Sequence, residues 1–226
     1  LQLASVAGHR VIHAHVSEQP AENAASGLVY GMSPTQLLDV SGLLSDRFTA
    51  VHATHVSADD IARLGQARSF VCMCPTTERD LADGIGPARA MADAGARISL
   101  GSDQHAVIDP FVEVRGLEMH ERLNSGERGR FSLDELSLAM SRDGYACIGW
   151  PEGGQLRVGA LADLVAVRRD SARTVGTRAA QIVYSANAGD VSDVMVGGEF
   201  VVRAGVHRSG DPGALLSKAF TRLRMD

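Results

Sequence analysis

The stretch His13-Ala14-His15-Val16-Ser17-Glu18-Gln19-Pro20 decides how the rest of the chain is read. Val11, Ile12, Ala14 and Val16 form an apolar run. The two histidines interrupt it at i and i+2, so both imidazoles point to one face of a strand. Glu18 follows three residues after His15, just past the expected strand end. A metal-ligating imidazole and a carboxylic acid would then share one mouth. That pairing suits hydrolysis, in which a metal activates water and an acid protonates the departing nitrogen. Taken alone, the same residues are equally well two half-buried strand histidines and a solvated loop glutamate. The other strand ends decide between the two.

Strands are expected over His9–Val16, Arg47–Ala53, Ser69–Cys74 and Arg97–Gly101. They run out into His15 and Glu18, into His52, into the loop CPTTERDLADGIG (residues 74–86), and into Ser102-Asp103-Gln104-His105. Between them, helices are expected over Glu18–Ser26, Pro34–Leu44, Ala58–Gln66 and Pro87–Ala94. Ser33 and Ser57 are placed as caps, Asp59 and Asp60 lie in a first turn, and Gly95 closes the last helix. This alternation indicates parallel βα units. Polar residues loaded onto successive strand C-termini indicate an α/β fold of the (β/α)8 TIM-type barrel class, with the active site at that end. A doubly wound sheet is the alternative, but no glycine-rich phosphate loop accompanies these strands. Four βα units are half of what a barrel needs, and the chain opens on Leu1, so it is expected to be part of a longer protein.

After Asp109 come two longer helices, Pro110–Asn124, with Phe111, Val114, Leu117 and Leu123 on roughly one face, and Ser132–Ile148, opened by the capping box Ser132-x-x-Glu135. Beyond Trp150 the texture changes to glycine turns and short strands. One is Asp163–Val167; Val194–Val196 and Phe200–Val202 flank Gly197-Gly198 as a hairpin. A boundary near Pro151 is therefore expected to separate a barrel part, residues 1–150, from a small β-rich lobe, residues 151–226, that ends in a surface helix over Pro212–Leu223.

The 226 residues carry a net charge of −5, which gives no electrostatic case for nucleic acid or an anionic membrane. No apolar run approaches the roughly 20 residues that span a bilayer. Cys72, Cys74 and Cys147 are an odd set, with Cys72-x-Cys74 inside a strand. They are expected to be reduced, buried thiols of a cytoplasmic protein, not a disulfide framework or a zinc knuckle.

His15, Glu18, His52 and Asp103 all lie at or just past strand C-termini, so a barrel would converge them on one mouth. Histidine and aspartate are both good ligands for zinc or iron, and an aspartate can double as a base toward bound water. These residues carry a family resemblance. HAHVSEQ, VHATH and SLGSDQH resemble the fifth, sixth and eighth strand ends of the amidohydrolase superfamily, in its mononuclear deaminase branch. Gly154-x-Leu156-x-x-Gly159-x-x-Ala162-Asp163-Leu164-Val165 and VMVGGEFVV resemble that family's C-terminal β-sandwich segment. With the CPTTERDLADGIG loop added, the nearest match within the branch is to the iminohydrolases that act on N-formimino-L-glutamate in histidine degradation.

The resemblance implies a hydrolase with a small-molecule substrate and a bound Zn2+, with Fe2+ as the alternative. It implies His15 and Asp103 as metal ligands, Glu18 as proton shuttle, His52 as the residue that polarises or orients water, and Asp103 also as base. His13 is then a barrel-layer residue below His15. His55 and His105 are candidates to support these groups, and Thr76, Thr77 and Arg79 to donate to a dianionic substrate. His120 and His207 are expected at the surface. A homodimer is implied by the family alone. The departure is that strands one to four, with the family's His-x-His metal pair, are not in the sequence. Rival readings are another deaminase or chlorohydrolase of the branch, acting on guanine, a thioadenosine or a triazine, and a non-catalytic barrel relic. Aromatics make up only 4% of the chain, which speaks mildly against a ring substrate that needs stacking.

Overall fold

The computed structural model describes residues 8–223. Four parallel strands, β1 (Ile12–Val16), β2 (Phe48–His52), β3 (Phe70–Met73) and β4 (Arg97–Leu100), lie side by side in chain order. The crossovers hold α1 (Pro20–Tyr30) and α2 (Pro34–Val40), then α3 (Ala58–Gln66), then α4 (Pro75–Asp80) and α5 (Ala88–Ala94). The first strand is shorter than expected, starting at Ile12 instead of His9, and α4 forms where the sequence suggested an irregular loop. Pro75 at the first helical position explains α4: its fixed φ suits the turn, and its missing N–H is one the helix would leave unpaired anyway.

The register separates two faces. His13 pairs with Thr49, and His15 with Val51, which continues to Cys72 and Ser99. That face is polar. The other carries Ile12, Ala14, Val16, Phe48, Ala50, Val71, Met73 and Ile98, packed against Leu64, Met91, Val114, Leu117 and Leu136 of the helices. Each large side chain fully buried there contributes about 1.5–3 kcal/mol.

Local chemistry fixes the helices. Ser33 accepts from Gln36 N and caps α2; Ser57 and Asp60 form a reciprocal capping box on α3. The buried Asp60 also accepts from the Ser33 hydroxyl, so one carboxylate ties two helix starts together. Gly65 lets α3 lie directly on α5: a Cβ there would sit 2.2 Å from the Ala94 carbonyl oxygen.

Three helices follow, α6 (Pro110–Ser125), α7 (Leu133–Met140) and α8 (Arg142–Cys147). The expected single helix over Ser132–Ile148 is broken at Ser141, at φ −128° and ψ −95°. The chain returning at Gly153 and Gly154 packs so tightly on Ser141 and Tyr145 that a Cβ at Gly154 would come within 2.6 Å of the Ser141 carbonyl carbon. Helix α8 crosses the beginnings of the strands. Cys147 O lies 2.8 Å from His13 Nε2, and Asp143 accepts from Arg97, whose guanidinium stacks over Phe70. His13 thus sits at the closed end of the polar face.

The second sheet is antiparallel: β5 (Leu164–Val167), β6 (Val191–Val196), β7 (Glu199–Arg203) and β8 (Val206–His207). Gly197 and Gly198 turn the β6–β7 hairpin, both at positive φ, as the sequence indicated. A short helix, α9 (Ile182–Ser185), lies between β5 and β6, and α10 (Pro212–Leu223) follows the sheet with no buried residue. Among the described residues no helix is long and apolar enough to cross a membrane.

Candidate active site

The strand C-termini form an open mouth, and backbone geometry aims the side chains into it. Ser17, His52, Ala53, Asp103 and His105 all have φ between 46° and 66°, a left-handed conformation that non-glycine residues adopt at a cost. Interstrand bonds hold these turns: Ala53 N donates to Val16 O, and His55 N to Ser17 O. At His52 the turn brings the ring onto His15, with centroids 5.3 Å apart and planes 28° from parallel. Gly101, two residues before Asp103, has no room for a side chain, since a Cβ would lie 3.1 Å from both the Cys72 and Cys74 sulfurs. All three cysteines are free; Cys74 and Cys147 are buried and Cys72 is partly so.

His15, His52 and Asp103 each present a ligand atom within 4.8 Å of one another, and Glu18, His52 and Asp83 form a second such group. His52 is fully buried, yet neither ring nitrogen has a hydrogen-bond partner among the described residues. Carboxylates flank it instead, Glu18 Oε1 3.6 Å from Nε2 and Glu78 Oε1 3.5 Å from Nδ1. An orphaned buried imidazole beside a second imidazole and an aspartate is a donor set that fits a zinc-like cation. Burial lowers the pKa of His52, but Glu78, Glu18 and Asp103 outweigh it, so the imidazole stands above its ordinary value. Burial also raises the Glu18 carboxyl, with Asp83 and Asp103 adding to the shift and His52 and His15 opposing it.

The supporting residues divide. His55 Nε2 donates to the Asp83 carbonyl oxygen (2.7 Å), and its own carbonyl accepts from Asn23, which fastens the 81–86 loop beside the mouth. Thr77 Oγ1 lies 3.3 Å from both Ser102 O and Gln104 N, bracing the turn that carries Asp103. His105 does not hydrogen-bond Asp103; its Nδ1 lies 3.3 Å from Ser102 Oγ. Thr76 gives its hydroxyl and its N–H to the buried Glu113, and Arg79 Nε donates to Pro75 O within its own helix. His120, expected at the surface, is buried on the inner face of α6, where burial lowers its pKa.

Glu78 and Asp83 were not singled out from the sequence. Both are buried, and Asp83 also accepts from Gln19, the neighbour of Glu18. Only the fold brings their loop beside His52. The single available signal is three carboxylates, Glu78, Asp80 and Asp83, in one short segment after a strand end.

Known proteins resemble the chain along most of its length. It is 30% identical over 228 residues to a formimidoylglutamate deiminase of Pseudomonas aeruginosa, an alignment covering 94% of this chain and 50% of that protein. A 5-methylthioadenosine/S-adenosylhomocysteine deaminase of Pyrococcus furiosus is 28% identical, over 90% of this chain and 50% of its own length. Among solved structures, an adenosine deaminase from Xanthomonas campestris with bound zinc superposes with a TM-score of 0.90 at 26% identity, covering 100% of this chain and 53% of that one. The chain thus spans about half the length of the curated relatives it matches. The fold is α/β of TIM-barrel type. Residues 1–201 match the amidohydrolase family model, and the chain belongs to the amidohydrolase family.

Proposed function

We propose that this chain supplies the acid–base half of a metal-dependent deiminase that releases ammonia from N-formimino-L-glutamate. In this reading residues 1–150 are strands five to eight of the barrel, and residues 151–226 are a β-sandwich segment with its terminal helix. The observation that carries it is the convergence of Glu18, His15, His52 and Asp103 on one mouth, with His52 buried and unpaired.

His15 and Asp103 would hold the cation, Zn2+ or Fe2+, with His52 alongside. A zinc ion so held supplies Lewis acidity and lowers the pKa of its water to about 7. The protein's own groups do the rest. Asp103 accepts the proton of the attacking water, and His52 orients that water toward the formimino carbon. Glu18 delivers a proton to the imino nitrogen, without which the leaving group would be amide ion. Its raised pKa keeps the carboxyl in the acid form to higher pH than a free glutamic acid. The tetrahedral adduct then collapses to ammonia and N-formyl-L-glutamate.

Aromatic residues make up only 4% of the chain, which favours an acyclic formimino group over a purine or triazine ring that needs stacking. The test is ammonia release by the full-length protein, with zinc, from N-formimino-L-glutamate and from 5-methylthioadenosine. The reading expects the first to turn over faster by orders of magnitude; the reverse order would return the substrate to the nucleoside deaminases.

A further inference from the structure

We infer that Glu78 is a positioning residue that fixes which nitrogen of His52 carries the proton. The inference rests on the reading of His52 as the group that orients the attacking water. The His52 ring is fully enclosed, with Glu78 Oε1 3.5 Å from Nδ1 on one side and Glu18 Oε1 3.6 Å from Nε2 on the other. No other hydrogen-bonding partner reaches either nitrogen among the described residues.

The two carboxylates differ in freedom. Glu18 is partly exposed at the mouth, whereas Glu78 is buried and pinned at the start of α4. Its Oε1 accepts the Cys74 N–H at 2.7 Å, and its own N–H donates to Cys74 O at 2.9 Å. Oε1 is thus already an acceptor, with a second lone pair left for another donor. The nitrogen facing it must therefore be the donor, so the neutral ring holds its proton on Nδ1. Nε2 is left as an acceptor toward Glu18 and the mouth. His52 then orients water by receiving its hydrogen, not by giving one.

The Nδ1 to Glu78 separation is a few tenths of an ångström longer than a formed hydrogen bond, as is common at catalytic contacts before substrate binds. Glu78 lies behind the ring from the mouth, so it acts through His52. Nothing in the reaction needs it to touch substrate.

The deciding experiment is 15N NMR of the full-length protein selectively labelled in histidine, metal-free and zinc-loaded, with the His52 signals assigned by their loss in His52→Asn. The expected spectrum has Nδ1 protonated and Nε2 bare. A proton on Nε2, in the other tautomer or in an imidazolium, overturns the inference. In Glu78→Gln the tautomer should become mixed or invert. There kcat should fall about 10–100-fold, with KM within about threefold and zinc content unchanged. An unaltered kcat also overturns it. Should Glu78→Gln fail to fold, the wild-type spectrum decides alone. Failure of the substrate reading shows separately, as no ammonia from N-formimino-L-glutamate by the wild-type protein, and leaves the spectrum untouched.

Discussion

The strand-end mouth and the antiparallel lobe use the same types of acidic residue in opposite ways. In the lobe Asp190 and Asp163 are paired. Asp190 receives two bonds from Arg173, at 3.0 and 2.9 Å, and one from Asn187 N. Asp163 accepts from Gly197 N and from the Tyr145 hydroxyl. These bonds hold Asp190 and Asp163 well below the usual carboxylate range, while burial and Asp163 push the Tyr145 phenol up to about 12. At the mouth, His52, Asp83 and Glu78 keep buried polar atoms without partners, and Glu18 is raised instead of lowered. Paired groups hold a structure together; buried groups left open at a strained mouth are available for chemistry.

The largest expected effect breaks the mouth alone. Glu18→Gln should lower kcat by about 10²–10⁴-fold with metal content and melting temperature kept. Turnover at the wild-type rate would remove Glu18 from the proton-transfer role. The pH dependences sharpen the contrast because their signs are opposite. Glu18 must be protonated to donate, so kcat should be lost as pH rises through its raised value, about tenfold per unit beyond it. Asp190 and Asp163 have depressed pKa values, so their stabilisation is present above the unfolded carboxylate value of about 3.9 and lost as pH falls toward their folded values. Parallel acid melts and rate profiles check both signs, and an alkaline-stable kcat would contradict the first.

Gly65→Ala tests the frame that carries the mouth. The added methyl meets Ala94 O and should cost about 1–3 kcal/mol in a denaturant melt, without loss of metal. Asp190→Asn is the smallest change. It should lower Tm by a few degrees while leaving kcat as it was, and a large loss of activity would mean that the two regions are not separable in this way.

The parallel sheet was legible because its signals are local: the alternation of Ile12 to Val16, serine caps at Ser33 and Ser57, and Gly95 after α5. The break at Ser141 was not, since it depends on the loop at Gly153–Gly154 packing from outside the helix. His15, His52 and Asp103 could be grouped because each ends a strand. Glu78 and Asp83 lie on a helix and a turn whose direction no periodicity fixes, and their closeness to His52 and Glu18 arises only when the third crossover folds back. His120 was misread although a signal existed. It lies three residues beyond Leu117 on the helix face already marked by Phe111 and Val114, and so is carried inward with them.

The most direct measurement of the central claim is ammonia release from N-formimino-L-glutamate by the zinc-supplied full-length protein and by its Asp103→Asn variant, with bound metal quantified in both. The account predicts turnover by the wild-type protein that disappears in Asp103→Asn, because Asp103 stands at the mouth with His15 and His52. Undiminished turnover in Asp103→Asn, or a metal-loaded wild-type protein that releases no ammonia, would contradict it.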